Sequence, residues 1–183
     1  MTVAIQGELG SFSEAAAHRM TGAQARLLCC RTFEDLFAAV RDGRATRAVV
    51  PVHNTVVGDV LGNEQRIAAG GFRIVDALSL PVTQCLIARP GTAIETVHRV
   101  ASHAVALRQC THLFAAHRGW TPLPIDDTAG GVRDLVAGGL DADAVIASAE
   151  AARRYGGVVL LTGVADVAEN FTDFLLIEAV VAT

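Results

Sequence analysis

The chain has 183 residues, of which 51% are hydrophobic and 19% charged, and its formal net charge is −4. Such a chain can bury a sizeable core, which excludes a disordered, fibrous or collagen-like protein. A chain with a net negative charge lacks the basic surface that binds nucleic acid or an anionic membrane, so we expect neither as a partner. All 15 basic residues are Arg, and the absence of Lys excludes Schiff-base chemistry and a lysine-dependent phosphate loop.

The four cysteines, Cys29, Cys30, Cys85 and Cys110, have neither the spacing of a zinc site nor that of a disulfide framework. We therefore expect reduced thiols and no metal. The N-terminus MTVAIQGELG has no basic region followed by an apolar one, and no apolar run is long enough to span a bilayer. These features predict a cytoplasmic location.

Short β-rich runs alternate with helical patterns in the first part of the chain. This alternation is typical of an α/β protein with a largely parallel sheet. The predicted strands are residues 2–5, 27–30 and 47–52, and the predicted helices begin at Glu14 and cover residues 33–42.

A long extended stretch, residues 72–91, interrupts this rhythm and is long enough to cross from one lobe to another. The α/β rhythm then restarts, which favours two small lobes over one sheet. The later strands are predicted at 99–102, 122–125 and 144–147, with helices at 103–117 and 130–137. The apolar run 173–182 is predicted to be a last strand that returns to the first lobe.

Hydroxyl residues stand at the predicted starts of three helices, each just after a strand. They are Ser11 and Ser13, then Ser102, then Thr128. A helix N-terminus has unpaired N–H groups and the positive end of its dipole, so a capping hydroxyl can be shared with an anion. Ordinary capping also explains each one singly. Together they predict a site for a small carboxylate-bearing ligand.

The chain resembles the prephenate dehydratases in five segments that follow in the family's order. They are GELGSFSEAAA (7–17), VVPVHNTVVGDV (49–60), SHAVALRQC (102–110), DTAGGV (127–132) and AVIASAEAARRYGGVVLLTGVADVAENFTDF (144–174). The fourth is similar to the family's Ser-Thr-Ala helix start, and the last ends where the family has Asn-x-Thr-Arg-Phe.

The resemblance implies a two-lobed α/β fold like type 2 periplasmic binding proteins, with a substrate cleft between the lobes. Residues 1–183 would form one dehydratase-like domain, with lobe 1 at about 1–77 plus 168–183 and lobe 2 at about 78–167. It also implies a homodimer and no cofactor. Because the chain ends at residue 183, we expect no C-terminal regulatory domain.

The implied reaction is decarboxylation of prephenate with loss of its ring hydroxyl, which gives phenylpyruvate. The resemblance makes Thr172 the group that protonates or polarises the leaving hydroxyl. The positions that the resemblance assigns to substrate binding are Ser11, Ser13, Asn54, Thr55, Ser102, His103, Thr128, Asp173 and Phe174.

Three positions depart from the family's pattern. Asp173 replaces the Arg of Thr-Arg-Phe, His53 replaces a Glu, and Gln84 replaces a His. An Arg binds a carboxylate through two hydrogen bonds, whereas Asp would repel a dianion. Asp173 is therefore expected to point away, to pair with another residue or to select an amine-bearing substrate such as arogenate. His53 can supply a positive charge or a proton, and is a second catalytic candidate.

Three functional hypotheses remain at this point. The first is a carbon–oxygen lyase of the prephenate dehydratase type, acting in phenylalanine synthesis or a specialised branch. The second is a related decarboxylase, or a dehydratase of an arogenate-like acid. The third is a non-catalytic protein that binds small carboxylates on the same fold.

Overall fold

The structure is a computed structural model that describes residues 1–180, and its chain divides into two compact units. Unit 1 contains Met1–Glu8, Phe12–Val82 and the chain from Glu169 onward, and unit 2 contains Leu9–Ser11 and Thr83–Ala168. The main boundaries fall at 82/83 and 168/169, where the sequence predicts 77/78 and 167/168. Leu9–Ser11, predicted in lobe 1, belong to unit 2. Residues 181–183 of predicted lobe 1, and the end of the predicted strand 173–182, lie outside the described residues.

Unit 1 is a six-stranded mixed sheet with three helices. Its strand order is β2-β1-β3-β11-β5, and β4 pairs with β3. The first three strands are parallel, and β11 is antiparallel to both of its neighbours. The elements are β1 (Thr2–Gln6), α1 (Phe12–Thr21), β2 (Arg26–Cys30), α2 (Phe33–Arg41), β3 (Arg47–Asn54), β4 (Gly58–Asp59), α3 (Asn63–Ala69), β5 (Phe72–Pro81) and β11 (Phe171–Ala179).

Helix α2 shows how the sequence builds the core of unit 1. Thr32 caps the helix, because its side chain accepts a hydrogen bond from the backbone N–H of Asp35 at 3.1 Å. Phe33, Leu36, Phe37 and Val40 follow at helical spacing and are all buried. This apolar stripe packs on the sheet, which contributes Ala48, Val50 and Ile177 to the same cluster.

Unit 2 is a five-stranded mixed sheet in the order β10-β6-β9-β7-β8. Strands β9, β7 and β8 are parallel, whereas β6 is antiparallel to both of its neighbours, β9 and β10. Strands β6 and β9 are buried at every residue because both faces of the sheet are covered. The elements are β6 (Cys85–Ala88), a 3-10 helix (Ile94–Thr96), β7 (Arg99–Ser102), α4 (Ala104–Arg108), α5 (Thr111–Ala116), β8 (Thr121–Pro124), α6 (Thr128–Val136), β9 (Ala144–Ala147), α7 (Ala149–Tyr155) and β10 (Val158–Thr162).

The predicted helix 103–117 is wrong, because two short helices occupy this segment. The first ends at its C-cap Gln109, and the second begins after Cys110. Asp166 makes the restart possible, since its carboxylate accepts hydrogen bonds from the backbone N–H groups of Thr111 (2.9 Å) and His112 (2.8 Å). A partner 55 residues away in sequence thus decides where the second helix begins.

None of the four cysteines, all of which lie within the described residues, forms a disulfide, and three of them are buried. Burial raises the pKa of the Cys110 thiol to about 12, so this thiol stays protonated near neutral pH. Within residues 1–180, no helix is long and apolar enough to cross a membrane. The same residues contain no group of three or more His, Cys, Asp or Glu side chains arranged to hold a metal ion.

The Asp166 carboxyl predicts a pH dependence of stability. Burial alone would raise its pKa, but hydrogen bonds from the Thr111 side chain and from the backbones of His112 and Thr111 outweigh burial and lower the pKa. Its stabilising effect is therefore complete above the unfolded-state pKa of about 4 and is lost as the pH falls through the lower folded-state value. We expect Asp166→Asn to reduce the free energy of unfolding at pH 7 by about 1–3 kcal/mol.

Denaturant unfolding at pH 7 and at successively lower pH measures this effect. The difference between wild type and Asp166→Asn should shrink as the pH falls. Asp42→Asn is the control, since Asp42 is exposed and its ion pair with Arg44 spans 3.7 Å; it should change stability by less than about 0.5 kcal/mol. A difference that stays constant down to pH 2 would contradict the assignment.

Candidate functional site

Three buried polar side chains of unit 1 meet where the C-terminal end of β3 pairs with β11. In the antiparallel register Asn54 lies opposite Thr172. The two protons of Asn54 Nδ2 are shared among three acceptors, namely Asn170 Oδ1 (2.7 Å), the Phe171 carbonyl oxygen (2.9 Å) and Thr172 Oγ1 (2.9 Å). Asn54, Asn170 and Thr172 are at most 9% exposed. We call these three residues the Asn54 network.

The amide oxygen of Asn54 also has hydrogen-bond partners, so the orientation of the amide is fixed. Oδ1 accepts hydrogen bonds from the backbone N–H groups of Val56 (3.0 Å) and Val57 (3.1 Å). These bonds form a side-chain-stabilised turn of the kind that Asn favours, and Gly58 completes the turn with φ of 81°. Exchanging the amide oxygen and nitrogen would set donors against donors, because the groups at Oδ1 are both N–H groups.

Thr172 is the member of the network that can act on a ligand. A hydroxyl has one proton to donate, and Oγ1 of Thr172 accepts from Asn54. Within residues 1–180 the structure gives the hydroxyl proton of Thr172 no acceptor. The Thr172 oxygen therefore accepts a hydrogen bond from Asn54, and its hydroxyl proton is available to donate to another group.

Thr55 holds the chain next to this network. Its Oγ1 accepts from the backbone N–H of Phe171 at 2.9 Å and donates to the carbonyl oxygen of Glu169 at 3.3 Å. The backbone N–H of Thr55 also donates to the Phe171 carbonyl at 3.0 Å. The structure thus uses the Thr55 hydroxyl, a predicted substrate contact, to fix the segment that carries Asn170.

His53 and Asp173 form a cross-strand pair on the opposite face of the sheet from Asn54 and Thr172. They are register partners, and neighbouring residues of a strand point to opposite faces. Nδ1 of His53 lies 3.6 Å from Oδ2 of Asp173, and both side chains are about half exposed (53% and 49%). Of the sequence alternatives for Asp173, pairing with another residue is the one observed. Phe174, the next residue, is 2% exposed and belongs to the interior of unit 1.

Two of the predicted helix-capping hydroxyls in unit 2 are not caps. Ser102 is fully buried and donates from Oγ to the Ile146 carbonyl at 2.7 Å, across from β7 to β9. The cap of α4 is His103, whose Nδ1 accepts from the backbone N–H of Val105 at 3.3 Å. The cap of α6 is Asp127, which accepts from Gly130 N–H at 2.5 Å, so Thr128 is the first helical residue. Both caps lie one residue from the predicted position.

The segment around Ser11 is fixed onto α7 within unit 2. The Gly10 carbonyl accepts a hydrogen bond from Ser148 Oγ (2.5 Å), and the Leu9 carbonyl accepts one from the Tyr155 hydroxyl (2.7 Å). Gly10 has φ of 92°, and a Cβ at this position would lie 2.9 Å from Ala151 Cα. Glycine is thus required both for the backbone conformation and for the close approach. Ser13 belongs to α1 of unit 1 and is buried.

Asn170, Asp127 and Ser148 are functional candidates that sequence reasoning did not identify. Asn170 stands in the matched motif two residues before Thr172, and its spacing in a strand could have placed it on the same face. Asp127 stands where the family motif has Ser. Ser148 follows β9 and caps α7 through the backbone N–H of Ala151. Because β7, β8 and β9 are parallel, Ser102, Asp127 and Ser148 follow the same edge of the sheet.

Comparisons with known proteins agree on one family. The family model described as Prephenate dehydratase matches residues 3–181. Arogenate dehydratase 3, chloroplastic, of Arabidopsis thaliana is 38% identical over 97% of this chain and 42% of its own length. Arogenate dehydratase/prephenate dehydratase 6, chloroplastic, of the same plant is 37% identical over 97% of this chain and 43% of its own. The chain therefore spans less than half the length of these relatives.

Solved structures extend the comparison. A prephenate dehydratase from Arthrobacter aurescens, in complex with L-Phe, has a TM-score of 0.90 at 28% identity and covers 100% of this chain and 61% of its own. A protein described as GqqA, a novel type of quorum quenching acylase, has a TM-score of 0.86 at 31% identity, with coverages of 100% and 66%. A periplasmic substrate-binding protein from Coxiella burnetii shares the fold, with a TM-score of 0.50 at 14% identity. The expected fold class, two-lobed α/β of the periplasmic-binding-protein type, is confirmed.

Gly10 provides a stability prediction with a matched control. Gly10→Ala adds backbone strain at positive φ and a steric clash with Ala151, whereas Gly22→Ala adds the strain alone, since Gly22 has φ of 85° and no atom within 4 Å of the place that its Cβ would occupy. We expect Gly22→Ala to cost about 1 kcal/mol and Gly10→Ala at least about 2 kcal/mol in unfolding free energy. Denaturant unfolding compares the two variants, and equal losses would show that the close approach is not limiting.

Proposed function

Because the chain belongs to the prephenate dehydratase family, we propose that it is a carbon–oxygen lyase that decarboxylates and dehydrates a cyclohexadienyl acid. The substrate would be prephenate, which gives phenylpyruvate, or its amine-bearing relative arogenate, which gives phenylalanine. The observation that carries the proposal is the buried bond from Asn54 to Thr172, which leaves the Thr172 proton free to be donated. This activity would serve phenylalanine synthesis or a specialised branch of aromatic metabolism.

In the proposed reaction the ring hydroxyl leaves while the ring carboxylate is lost as carbon dioxide. The electron pair of the breaking carbon–carbon bond moves into the ring, the carbon–oxygen bond breaks, and the departing hydroxide takes up one proton to become water. A positioned donor lowers the barrier for such a departure. Thr172 donates the hydrogen bond to the leaving oxygen, and water restores the transferred proton afterwards.

The Asn54 network suits this role because it holds the donor without using its proton. The Asn54 amide donates to Thr172 Oγ1 at 2.9 Å, so the oxygen is occupied as an acceptor. Burial of the three side chains keeps competing water away, which strengthens each hydrogen bond. We propose Asn170 and Asn54 as positioning residues and Thr172 as the catalytic residue.

Substrate preference is a finer part of the proposal. Asp127 puts a carboxylate at the start of α6, at the carboxyl-terminal edge of unit 2's sheet, where the family motif has a neutral Ser. Within unit 2, such a carboxylate favours a ligand with an ammonium group over one with a keto group. The name of one curated relative, an arogenate dehydratase, also supports arogenate, whereas another is named for both substrates. Prephenate and arogenate are therefore to be assayed side by side at neutral pH, with products identified by mass.

The decarboxylase alternative has one observation in its favour, the Asp at the Arg position of the family's triplet. Loss of carbon dioxide with retention of the ring hydroxyl would give a non-aromatic product, which differs from phenylpyruvate in mass and in ultraviolet absorbance. Unchanged substrate with saturable binding would instead favour the non-catalytic binder.

A homodimer and a cytoplasmic location also belong to the proposal. The resemblance supports the first, and the second stays a prediction. Two of the curated relatives are named as chloroplastic proteins. Light scattering of the purified chain measures its mass in solution.

Thr172→Val tests the catalytic role. Valine keeps the shape and removes the hydroxyl, so we expect kcat to fall about 10²–10⁴-fold with KM changed by less than about fivefold. Thr172→Ser should restore most of the rate because it keeps the donor. Thr162→Val is the matched control, since Thr162 is an exposed threonine at the end of β10, and it should leave kcat within about threefold. If Thr172→Val turns over like wild type, the proposal fails.

Asn170→Ala tests positioning. It removes one acceptor of the Asn54 amide, so we expect kcat to fall about tenfold with little change in KM, and Asn170→Asp, which keeps an acceptor oxygen, to lose less. Asn63→Ala is the matched control, since Asn63 is a fully buried amide of unit 1 that donates to the Pro51 carbonyl at 2.9 Å. It should lower stability without lowering kcat. Equal effects of both variants on kcat would reduce Asn170 to a structural residue.

A further inference from the structure

A surface cavity of about 350 Å³ lies in unit 2, between the turn that precedes β7 and the turn that precedes β8. One wall runs from the 3-10 helix Ile94–Thr96 to His98, and the other consists of residues 117–120. The volume is at the lower end of the range for small-molecule pockets, roughly 300–1,000 Å³. It suits a ligand of one ring and a short substituent.

This cavity is at the opposite end of the strands from the candidate hydroxyls of unit 2. His98 and Trp120 directly precede β7 and β8, whereas Ser102 ends β7. A strand of four residues spans about 13 Å at about 3.3 Å per residue. The cavity is therefore a separate feature of unit 2 and does not rest on the proposed function.

The walls of the cavity are fixed by backbone hydrogen bonds. The His98 N–H donates to Asp143 Oδ2 at 2.9 Å, and the His98 carbonyl accepts from Thr121 N–H at 2.7 Å. The Trp120 N–H donates to the His117 carbonyl at 2.8 Å, which closes the second turn. A pocket with walls held in this way loses little conformational entropy when it binds a ligand.

The groups that line the cavity combine an aromatic stack with unpaired charges. The rings of His117 and Trp120 are stacked, with centroids 3.9 Å apart and planes 11° from parallel, beside the apolar side chains of Ile94 and Val97. The exposed Arg118 has no hydrogen bond or ion pair in the described part of the chain. A free guanidinium binds a carboxylate through two parallel hydrogen bonds.

We propose that this cavity is a second binding site, for a small aromatic carboxylate. The ring of the ligand packs against the His117–Trp120 stack, and its carboxylate binds Arg118. Glu95 also lines the cavity, is exposed, and has no partner among residues 1–180. A ligand that carries an ammonium group beside its carboxylate therefore gains a second ionic contact.

Trp120 makes the test direct, because it is the only Trp in the chain. Its fluorescence reports the cavity without a label. The probes are phenylacetate, benzyl alcohol, which lacks the carboxylate, and cyclohexylacetate, which lacks the aromatic ring. We expect phenylacetate to change the fluorescence saturably, and each of the other two to bind at least about fivefold more weakly.

Variants locate the ligand within the cavity. Arg118→Ala should weaken phenylacetate binding about tenfold, whereas Arg108→Ala, an exposed Arg on α4, should leave it within about twofold. Phenylalanine should bind more tightly than phenylacetate, and Glu95→Gln should remove that difference in affinity. If the ratio of the two affinities is the same in Glu95→Gln and in wild type, the Glu95 contact is overturned and the ligand class is restricted to simple carboxylates. Thr172→Val should leave the titration unchanged.

Two results would overturn the proposal. The first is the absence of a saturable fluorescence change with phenylacetate up to concentrations on the order of tens of millimolar. The second is binding that is insensitive to Arg118→Ala or is abolished by Thr172→Val, because the ligand would then sit elsewhere.

Discussion

The pairing of β3 with β11 is the constraint on which the candidate site depends. These strands are more than a hundred residues apart in sequence, yet the register sets Asn54 opposite Thr172. The pairing is stable because β11 lies between β3 and β5 and buries Phe174, Leu176 and Ile177. Hydrophobic burial of the strand thus fixes the position of a hydroxyl near its start, and the Asn54 amide fixes its direction.

The alternation of side chains along β11 explains why a charge change can be tolerated next to Thr172. Thr172 and Asp173 are neighbours in sequence but point to opposite faces of the sheet. Asp173 finds a partner in His53, which is itself a departure from the family's pattern. An exposed pair of this kind is worth at most about 1 kcal/mol, so it compensates locally for the lost Arg without dictating the geometry of the Asn54 network.

Sequence reasoning predicted the parts of the fold that follow from local patterning. The strands at 2–5, 47–52, 99–102 and 144–147 were found because short apolar runs bounded by turn residues reveal buried strands. The break between α4 and α5 was missed because it depends on Asp166, whose contact with Thr111 is invisible to local periodicity. The caps at His103 and Asp127 were each misplaced by one residue, which is the usual precision of helix boundaries.

The candidate site was predictable where it coincides with a motif, and less so where it depends on geometry. Thr172 and Asn54 came from the resemblance. The spacing of Asn170 from Thr172 allows a common face, but its bond to Asn54 is seen only once the strands are paired. His53 faces away from Asn54 because the two are neighbours on β3. The face of Asp173 required the register, since a shift of one residue would have turned Asp173 toward Asn54's side.

The sheet of unit 2 separates two kinds of surface at its two ends. Its carboxyl-terminal edge carries polar caps and buried hydroxyls that are engaged in hydrogen bonds within the unit, such as Ser102 and Ser148. Its amino-terminal edge carries Arg118 and Glu95, which have no partner within residues 1–180, beside a stacked aromatic pair. Charges without partners cost little at the surface and are free to bind a ligand. The amino-terminal edge therefore has ligand-binding groups of its own, separate from the helix starts at the carboxyl-terminal edge, where Asp127 bears on the proposed substrate preference.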